Sequence, residues 1–277
     1  MTIIAVVKTK ALRTGPNAFI ITLSTFDLIF ATVVIPTILS TIWNNAWVFN
    51  HIYCSVYAMV TFLTVGGNLA SLSGTALSRY LKIIHPHRAS VLFARNLNIG
   101  IFVCCLLSVP ILLVLPAVTG IWGKLGYNPN TIICHIINDN SGYTTFMMTC
   151  CIVIPILFIS LSYLRIFCKV CSNRRKIQAA RNGDGNQQPV AVREDLRFTK
   201  MMVTIFIAFL LTYVPYLIDS IVVDSSAVHN MTRRFLTLVC LWLSSCVNPI
   251  LYGLLNRNFR QAFINIYAQI AKSTNIF

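Results

Sequence analysis

Long apolar runs separated by short polar segments fill most of this 277-residue chain. Four of them carry no charged residue and reach the roughly 20 residues that a helix needs to cross a bilayer: 52–78, 97–123, 142–164 and 235–256. Two more meet that length if one acid is allowed in each, Asp27 in 17–43 and Asp219 in 201–223. Residues 1–7 are apolar but too short to cross. Because a lone strand cannot satisfy its backbone in lipid, the pattern predicts six membrane-spanning helices after a short stub.

The composition and the placement of charge agree with a membrane protein. Hydrophobic residues make up 56% and charged residues 10%, against about 25% charged residues in soluble domains. The net charge of +15 would also suit nucleic-acid binding, but the 22 basic residues follow the loops. One set of alternate loops holds only Lys124, Arg233 and Arg234, and the other set holds the rest. Basic loops stay on the cytoplasmic side, so the stub and the C-terminus are predicted to be cytoplasmic.

Polar residues recur inside the runs at helical spacing. In the last run Asn248 and Tyr252 flank Pro249 and share one helix face, which Ser244 and Ser245 extend by a turn. Pro within a helix removes a hydrogen bond and kinks it. In 52–78 a polar stripe leads down to the basic residue that follows the run: Thr61, Thr64, Asn68, Ser71, Thr75 and Arg79. The small hydroxyls of this stripe also suit plain helix–helix contact, an explanation that fits Asn68 and Arg79 less well.

Asp27 lies in the middle of its run and needs a partner, a proton or a cation there. No Lys or Arg falls at a matching depth, and the available neutral partners are Asn68, Ser244, Ser245 and Asn248. Oxygen ligands of this kind suit a small hard cation such as sodium. The alternative is a protonated carboxyl that makes structural hydrogen bonds.

The cysteines and the polar segments complete the organisation. Only Cys54 and Cys134 fall on the extracellular side, where two thiols can pair. Cys168-x-x-Cys171 would fit a metal or redox site, but no second pair or nearby His supports it. Segment 172–196 is polar and predicts a flexible inner loop, and 256–270 has apolar residues at helical spacing, typical of a helix on the membrane surface.

These features, in order along the chain, resemble the rhodopsin-like (class A) G-protein-coupled receptors. The Asn248-Pro249-x-x-Tyr252 motif, Asp27, and the partial match Ser78-Arg79-Tyr80 are similar to the family's motifs. Further matches cover nearly the whole chain: Cys54 with Cys134, Pro155 with Tyr163, Phe209 with Pro215, and 256–260. Within the family, Ile83-Ile84-His85-Pro86 after Tyr80 resembles the melatonin-receptor-like group and related invertebrate orphan receptors.

The resemblance implies an all-α seven-transmembrane bundle forming one domain over 1–277. Residues 8–13 resemble the first inner loop, so 1–7 would be the remnant of a truncated first helix. Two residues depart from the family pattern. Ser78 replaces the acid usually found beside Arg79, although Asp195 matches an acid that can hold Arg79 across the bundle. Tyr213 replaces the usual Trp before Pro215.

The implied function is a plasma-membrane receptor that binds an extracellular ligand and activates a heterotrimeric G protein, with no cofactor beyond sodium at Asp27. The switch residues would be Arg79, Tyr80, Tyr163, Asp195 and Tyr252, with hinges at Pro155, Pro215 and Pro249 and a disulfide between Cys54 and Cys134. Ligand contacts would come from the outer halves of four helices, although each residue could equally be packing: Thr61, Met147, Cys151, Tyr216, Asp219, Leu238 and Trp242. Thr61 stands where amine receptors have Asp, which disfavours a simple amine, whereas Asp219 could take a cationic group.

Other functions fit less well. A non-signalling relic of a receptor is supported by Ser78, Tyr213 and the short first helix. A transporter would be expected to show paired repeats or charges along a pathway, and only Asp27 offers one. An enzyme is not expected, because no Ser–His, paired-acid or metal cluster falls at one depth. Asn230-Met231-Thr232 matches a glycosylation acceptor, but it lies close to the membrane.

Overall fold

The computed structural model describes residues 1–12, 15–85, 100, 103–104, 123–129, 132–137, 142–180, 190–222 and 231–274. The helices among them, in chain order, are α1 Thr2–Lys8, α2 Gly15–Ile29, α3 Ile35–Trp43, α4 His51–Ile84, α5 Tyr143–Met148, α6 Ile154–Ala180, α7 Val190–Val222, α8 Met231–Leu255 and α9 Arg257–Thr274. Short 3-10 and π-helical turns lie at Lys10–Leu12, Phe30–Val34 and Thr149–Val153. Two strands, β1 Lys124–Asn128 and β2 Ile133–Ile137, form an antiparallel hairpin.

Five stretches of the described residues are long and apolar enough to cross a membrane: Asn17–Trp43, His51–Ile84, Thr145–Cys171, Thr199–Asp219 and Phe235–Leu255. They correspond to five of the six predicted spans, and the remaining one, 97–123, lies almost wholly outside the described residues. Large apolar side chains face outward, with Leu211 71% and Leu254 69% exposed. A surface of this kind is covered by lipid rather than water. The fold is therefore a helical membrane bundle.

The helices pack in a definite order. α2 packs against α4, α4 against α6, and α7 against α8, while α8 also meets α2. α4 is held at its start by Asn50, whose side chain accepts a hydrogen bond from the backbone N–H of Tyr53 at 2.8 Å. With 34 residues it rises about 50 Å, more than the bilayer core requires, so its ends extend beyond the hydrocarbon. α4 packs against both α2 and α6, so it lies between them.

Both π-helical turns precede a proline that lies two residues after the turn. The proline ring clashes with the carbonyl four residues earlier and cannot donate to it. For Pro36 that carbonyl belongs to Thr32, and for Pro155 to Cys151, so each falls inside a π-helical turn. The wider turn accommodates the proline without ending the helix, and it changes the direction in which the preceding side chains point.

Two segments differ from the sequence expectation at their ends. α6 continues to Ala180 and α7 begins at Val190, so helix enters both ends of the segment expected to be a loop, 172–196, whose centre at 181–189 lies outside the described residues. Residues such as Lys176 and Gln178 are good helix formers in water, so nothing stops the helix at the membrane edge. α9 begins one residue later than the predicted 256–270 and runs on to Thr274.

α9 packs across one end of the bundle, against α8 and α1. Asn256 caps its start by accepting a hydrogen bond from the backbone N–H of Asn258 at 3.0 Å. The helix also packs against α1, where Lys8 Nζ donates to Gln269 Oε1 at 3.3 Å. Its buried face carries Phe259 and Ile266, while Tyr267 is 70% exposed. This amphipathic arrangement is typical of a helix that lies on a membrane surface.

Candidate functional site

A buried hydrogen-bonded hub joins three helices at mid-depth. Asp27 of α2 accepts from Asn68 Nδ2 of α4 at 2.9 Å through Oδ1, and from Asn248 Nδ2 of α8 at 2.8 Å through Oδ2. All three side chains are buried. The two amides provide the partners that a carboxyl group needs when it is removed from water. Three helices distant in sequence are thus tied through one side chain.

The hub also offers oxygen atoms to a cation. Asn68 Oδ1 is buried and has no hydrogen-bond partner among the described residues. Ser245 is buried and lies close to the carboxylate, whereas Ser244 is only partly buried and makes no hydrogen bond to it in the described part of the chain. Carboxylate, amide and hydroxyl oxygens suit a hard cation. The residues present therefore fit sodium, with Asp27, Asn68 and Ser245 as the ligands that would hold it.

Tyr252 lies between the hub and α9. It lies four residues after Asn248 on α8, and its ring is fully buried against Phe259 of α9, with ring centroids 5.5 Å apart. Its hydroxyl is buried without a hydrogen-bond partner among the described residues. A buried hydroxyl in that state can accept or donate a hydrogen bond when a suitable group comes within reach.

Arg79 lies near the C-terminal end of α4 and is buried, with only 3% of its surface exposed. Tyr163 of α6 is buried nearby and interacts electrostatically with it. Ser78 beside it is also buried, whereas Tyr80 is partly exposed and packs edge-on against His85, at 6.0 Å between ring centroids. The side chain of Asp195 lies outside the described residues, so the predicted Arg79–Asp195 pair stays a prediction.

The outer halves of the helices carry the predicted ligand residues. Met147, Asp219 and Leu238 are buried. Thr61, Cys151, Tyr216 and Trp242 are partly buried. Trp242 Nε1 in this region is buried without a hydrogen-bond partner among the described residues. Buried donors and acceptors of this kind are costly unless a bound molecule satisfies them. The predicted residues thus lie on α4, α7, α8 and the π-helical turn with α5.

Tyr57 was missed by the sequence reasoning. It precedes Thr61 by one turn on the same face of α4, it is 1% exposed, and its hydroxyl lies next to the Thr61 side chain. The signal for it was available, because Tyr57 extends the polar stripe of α4 by one step toward the outer end.

Arg233 was also missed as a partner of Asp219. Arg233 Nε of α8 lies 3.0 Å from Asp219 Oδ1 of α7, and Thr237 Oγ1 donates to Asp219 Oδ2 at 3.4 Å. Asp219 is therefore already paired, which changes the expectation that it receives a cationic group. The pairing could not be found from spacing, because it depends on how the outer ends of α7 and α8 meet.

The outer hairpin is fixed to α4 by the disulfide between Cys54 and Cys134, whose Cα atoms are 5.5 Å apart. Tyr127 pairs with Cys134 in the hairpin and stacks on Trp47 at 5.7 Å between ring centroids. Partial burial there raises the pKa of the Tyr127 phenol above its ordinary value. The predicted disulfide is confirmed, while the hairpin itself was not predicted.

Two further sequence features were a Cys pair and a glycosylation motif. Cys168 is exposed and Cys171 partly exposed, both as free thiols, and the described residues contain no group of three His, Cys, Asp or Glu side chains that could hold a metal ion. Asn230, the predicted glycosylation acceptor, lies outside the described residues.

Comparison with known proteins identifies the family. Residues 1–252 match the family model described as 7 transmembrane receptor (rhodopsin family). Protein trapped in endoderm-1 of Drosophila melanogaster is 29% identical over 289 residues, covering 97% of this chain and 73% of that protein. Melatonin receptor type 1A of Mus musculus is 26% identical over 283 residues, covering 100% and 78%. Melatonin receptor type 1B-B of Danio rerio is 27% identical over 277 residues, covering 98% and 77%.

The matched region contains the Asp27 hub, Arg79 with its neighbours Ser78 and Tyr163, and the disulfide. Its relatives include receptors of the subgroup that the residues after Tyr80 resemble. The chain therefore belongs to the rhodopsin family of seven-transmembrane receptors, and it is a receptor rather than an enzyme.

Proposed function

We propose that this receptor binds an extracellular ligand in the outer half of its bundle and activates a heterotrimeric G protein at its cytoplasmic face. The observation that carries the proposal is the hub, in which Asp27 bonds to α4 and α8 at 2.9 and 2.8 Å. A single side chain that ties three helices has two or more arrangements open to it, and a ligand that prefers one of them shifts the population.

Aromatic contacts along α7 provide a route between the two faces. Tyr216, a candidate ligand contact, packs edge-on against Tyr213 at 6.3 Å, and Tyr213 stacks on Phe209 at 5.0 Å. One turn further in, Phe206 contacts Tyr163 of α6 at 6.2 Å, next to Arg79. A displacement of Tyr216 would therefore change the packing of side chains close to Arg79. Packed side chains of this kind transmit a change because they interdigitate and cannot deform freely.

At the cytoplasmic face, Arg79 would leave its buried position to meet the G protein. Tyr163 and Tyr252 would support it there, the latter with a hydroxyl that has no hydrogen-bond partner among the described residues in the present arrangement. Asp195 would hold Arg79 in the inactive form, a task that elsewhere in the family is shared by the acid that Ser78 replaces. Tyr80 would complete the contact surface.

Sodium would stabilise the inactive arrangement at Asp27. Ion binding to the hub would keep α2, α4 and α8 together, and an active form with a rearranged hub would release the ion. Ligand and ion would then oppose each other, as reciprocal linkage requires.

Arg79→Ala tests the proposal. Basal and ligand-stimulated G-protein dissociation would be recorded in cells with resonance-energy-transfer sensors for each G-protein class, at matched surface expression. We expect the signal to fall to the background of untransfected cells. Arg165→Ala is the control, since Arg165 is an exposed Arg on α6 that directly follows the predicted span 142–164. Full signalling by Arg79→Ala at normal surface levels would rule the proposal out.

Melatonin is the first compound to test as a ligand, because several relatives are named as its receptors. At 25–27% identity the relatives named as melatonin receptors do not fix the ligand of this chain. The side chains at the outer ends of α7 and α8 indicate which chemical class of ligand fits.

A further inference from the structure

An ion pair occupies the outer ends of α7 and α8. Arg233 Nε lies 3.0 Å from Asp219 Oδ1, and Thr237 Oγ1 donates to the other carboxylate oxygen at 3.4 Å. The two partners are unequal in exposure, since the Asp219 side chain is 3% exposed and the Arg233 side chain 50%. The negative partner is therefore buried behind the positive one.

This asymmetry decides which charge an incoming molecule meets. A cationic group would have to pass the guanidinium and then compete with it for Asp219. An anionic group would meet the exposed half of Arg233 directly. The ion pair is made through Nε, and a guanidinium carries four further N–H donors on its two terminal nitrogens, in a planar arrangement that suits carboxylate or phosphate. Asp219 and Thr237 fix the direction of that group, which lowers the entropy lost on binding.

The layer beneath the ion pair is apolar and aromatic. On α8, Leu241 follows Arg233 and Thr237 on the same face and is 5% exposed. On α7, Tyr216 lies nearly one turn inward from Asp219 and packs against Tyr213. Eight residues of helix separate Arg233 from Leu241, so the change from charged to apolar occurs within about 12 Å. A molecule that spans it needs a charged end and an apolar body.

We infer that the ligand of this receptor is an amphiphile with an acidic group, and that Arg233, oriented by Asp219 and Thr237, binds this group at the outer mouth of the α7–α8 seam. The inference deepens the proposed function and rests on it for the place of ligand binding. It predicts the ligand class, a small carboxylic acid or phosphate monoester with an alkyl or aryl body, in contrast to neutral melatonin.

The test uses the full chain in lipid nanodiscs and two matched series of probes. The alkyl series contains an acid, a primary amine and an alcohol with chains of equal length, and the indole series contains indole-3-propionic acid, tryptamine and melatonin. Binding is measured as the rise in unfolding temperature that a ligand of the native state produces. We expect the acids to raise it and the amines and neutral compounds to raise it less or not at all.

Variants then assign the effect to Arg233. Arg233→Ala should weaken acid binding about 10- to 100-fold, the range expected for loss of a charge-assisted contact, and Arg233→Lys should keep part of it. The double variant Asp219→Arg with Arg233→Asp restores an ion pair but exposes the acid. It should lose acid binding and gain amine binding. Tyr267→Ala, at an exposed side chain of α9 far along the chain from the ion pair, is the control for handling and should behave as the wild type.

Three results would overturn the inference: stronger stabilisation by amines or neutral compounds in the wild type, unchanged acid binding in Arg233→Ala, or no stabilisation by either acid. Recovery of acid binding in the double variant would also overturn it, because the ion pair would then act only as a clasp between α7 and α8. The readout does not involve a G protein. Acid binding without G-protein dissociation in cells would therefore leave this inference intact and count against the proposed function.

Discussion

At the residue scale, the Asp27 carboxyl group is the clearest case of one side chain with several tasks. Its two oxygens accept from Asn68 and Asn248, and these bonds join α2 to α4 and to α8. Any change that alters the number of acceptors at position 27 therefore changes both helix contacts and the oxygen atoms offered to a cation.

Asp27→Asn is expected to lower the thermal stability of the receptor and to abolish its response to sodium. The substitution keeps the shape but replaces one acceptor oxygen by an N–H donor, so Asn68 or Asn248 loses its acceptor. A buried group left unsatisfied costs about 1–3 kcal/mol. Unfolding temperatures in nanodiscs, in sodium and in choline chloride, measure both effects. Thr32→Ala on the same span is the control, because Thr32 is exposed and its hydroxyl bonds only to its own helix. Retained sodium stabilisation in Asp27→Asn would contradict the sodium assignment.

Ser78→Asp is expected to reduce basal signalling. Both Ser78 and Arg79 are 3% exposed, so an added carboxylate would lie beside the guanidinium with little water to screen it. The pair would favour the form in which Arg79 stays buried. Basal G-protein dissociation at matched surface expression is the measurement, with Ser78→Asn as the isosteric neutral control. Equal or higher basal signalling in Ser78→Asp than in Ser78→Asn would show that this site does not restrain Arg79.

At the element scale, the contact between α2 and α4 depends on one glycine. A Cβ at Gly67 would clash with ring carbons of Phe26, which is 1% exposed. Small residues of this kind let helices approach closely in a membrane, where apolar side chains gain little by leaving lipid. Gly67 precedes Asn68, so the close approach also sets the length of the hydrogen bond to Asp27.

Gly67→Ala is expected to destabilise the receptor by about 1–3 kcal/mol, the usual cost of overpacking, and to weaken the hub. Gly66→Ala is a matched control one residue away, since a Cβ there meets nothing within 4 Å. It should be neutral or slightly stabilising, because Ala is the better helix former. Both are measured by thermal unfolding in nanodiscs. An equal loss in the two variants would mean that helix propensity and not the Phe26 contact decides the result.

The existence of the helices could be predicted from sequence, and their contacts could not. A membrane span must satisfy its own backbone, so 17–43 and 235–256 were predictable from apolar length alone. The π-helical turns were not predicted, although the prolines that follow them are visible in the sequence. Pro215 and Pro249 lie inside α-helices without such a turn. Arg233 beside Asp219 and Phe26 beside Gly67 join different helices, and only the packed bundle brings them together. Asp27 with Asn68 and Asn248 was predictable because polar groups at one depth of a bilayer seek each other.

At the scale of the whole molecule, the uneven distribution of basic residues predicts the orientation of the chain in the membrane. Only three of the 22 basic residues fall on the side of Cys54 and Cys134. The same distribution of basic residues that predicts an oxidising compartment for the disulfide predicts that Arg79 and α9 lie at the cytoplasm. The ligand inference and the G-protein proposal both depend on this orientation, because each assigns its residues to one face.

The orientation is directly testable in intact cells. An epitope tag after Phe277 should react with antibody only in permeabilised cells, and a tag inserted after Pro129, in the turn that follows β1, should react without permeabilisation. A membrane-impermeant maleimide supplies an independent readout, since Cys54 and Cys134 should become reactive from outside only after reduction. Cys54→Ser and Cys134→Ser each remove one of these sites and identify the signal. Surface staining of the C-terminal tag would place Arg79 outside the cell, and no G protein could then reach it.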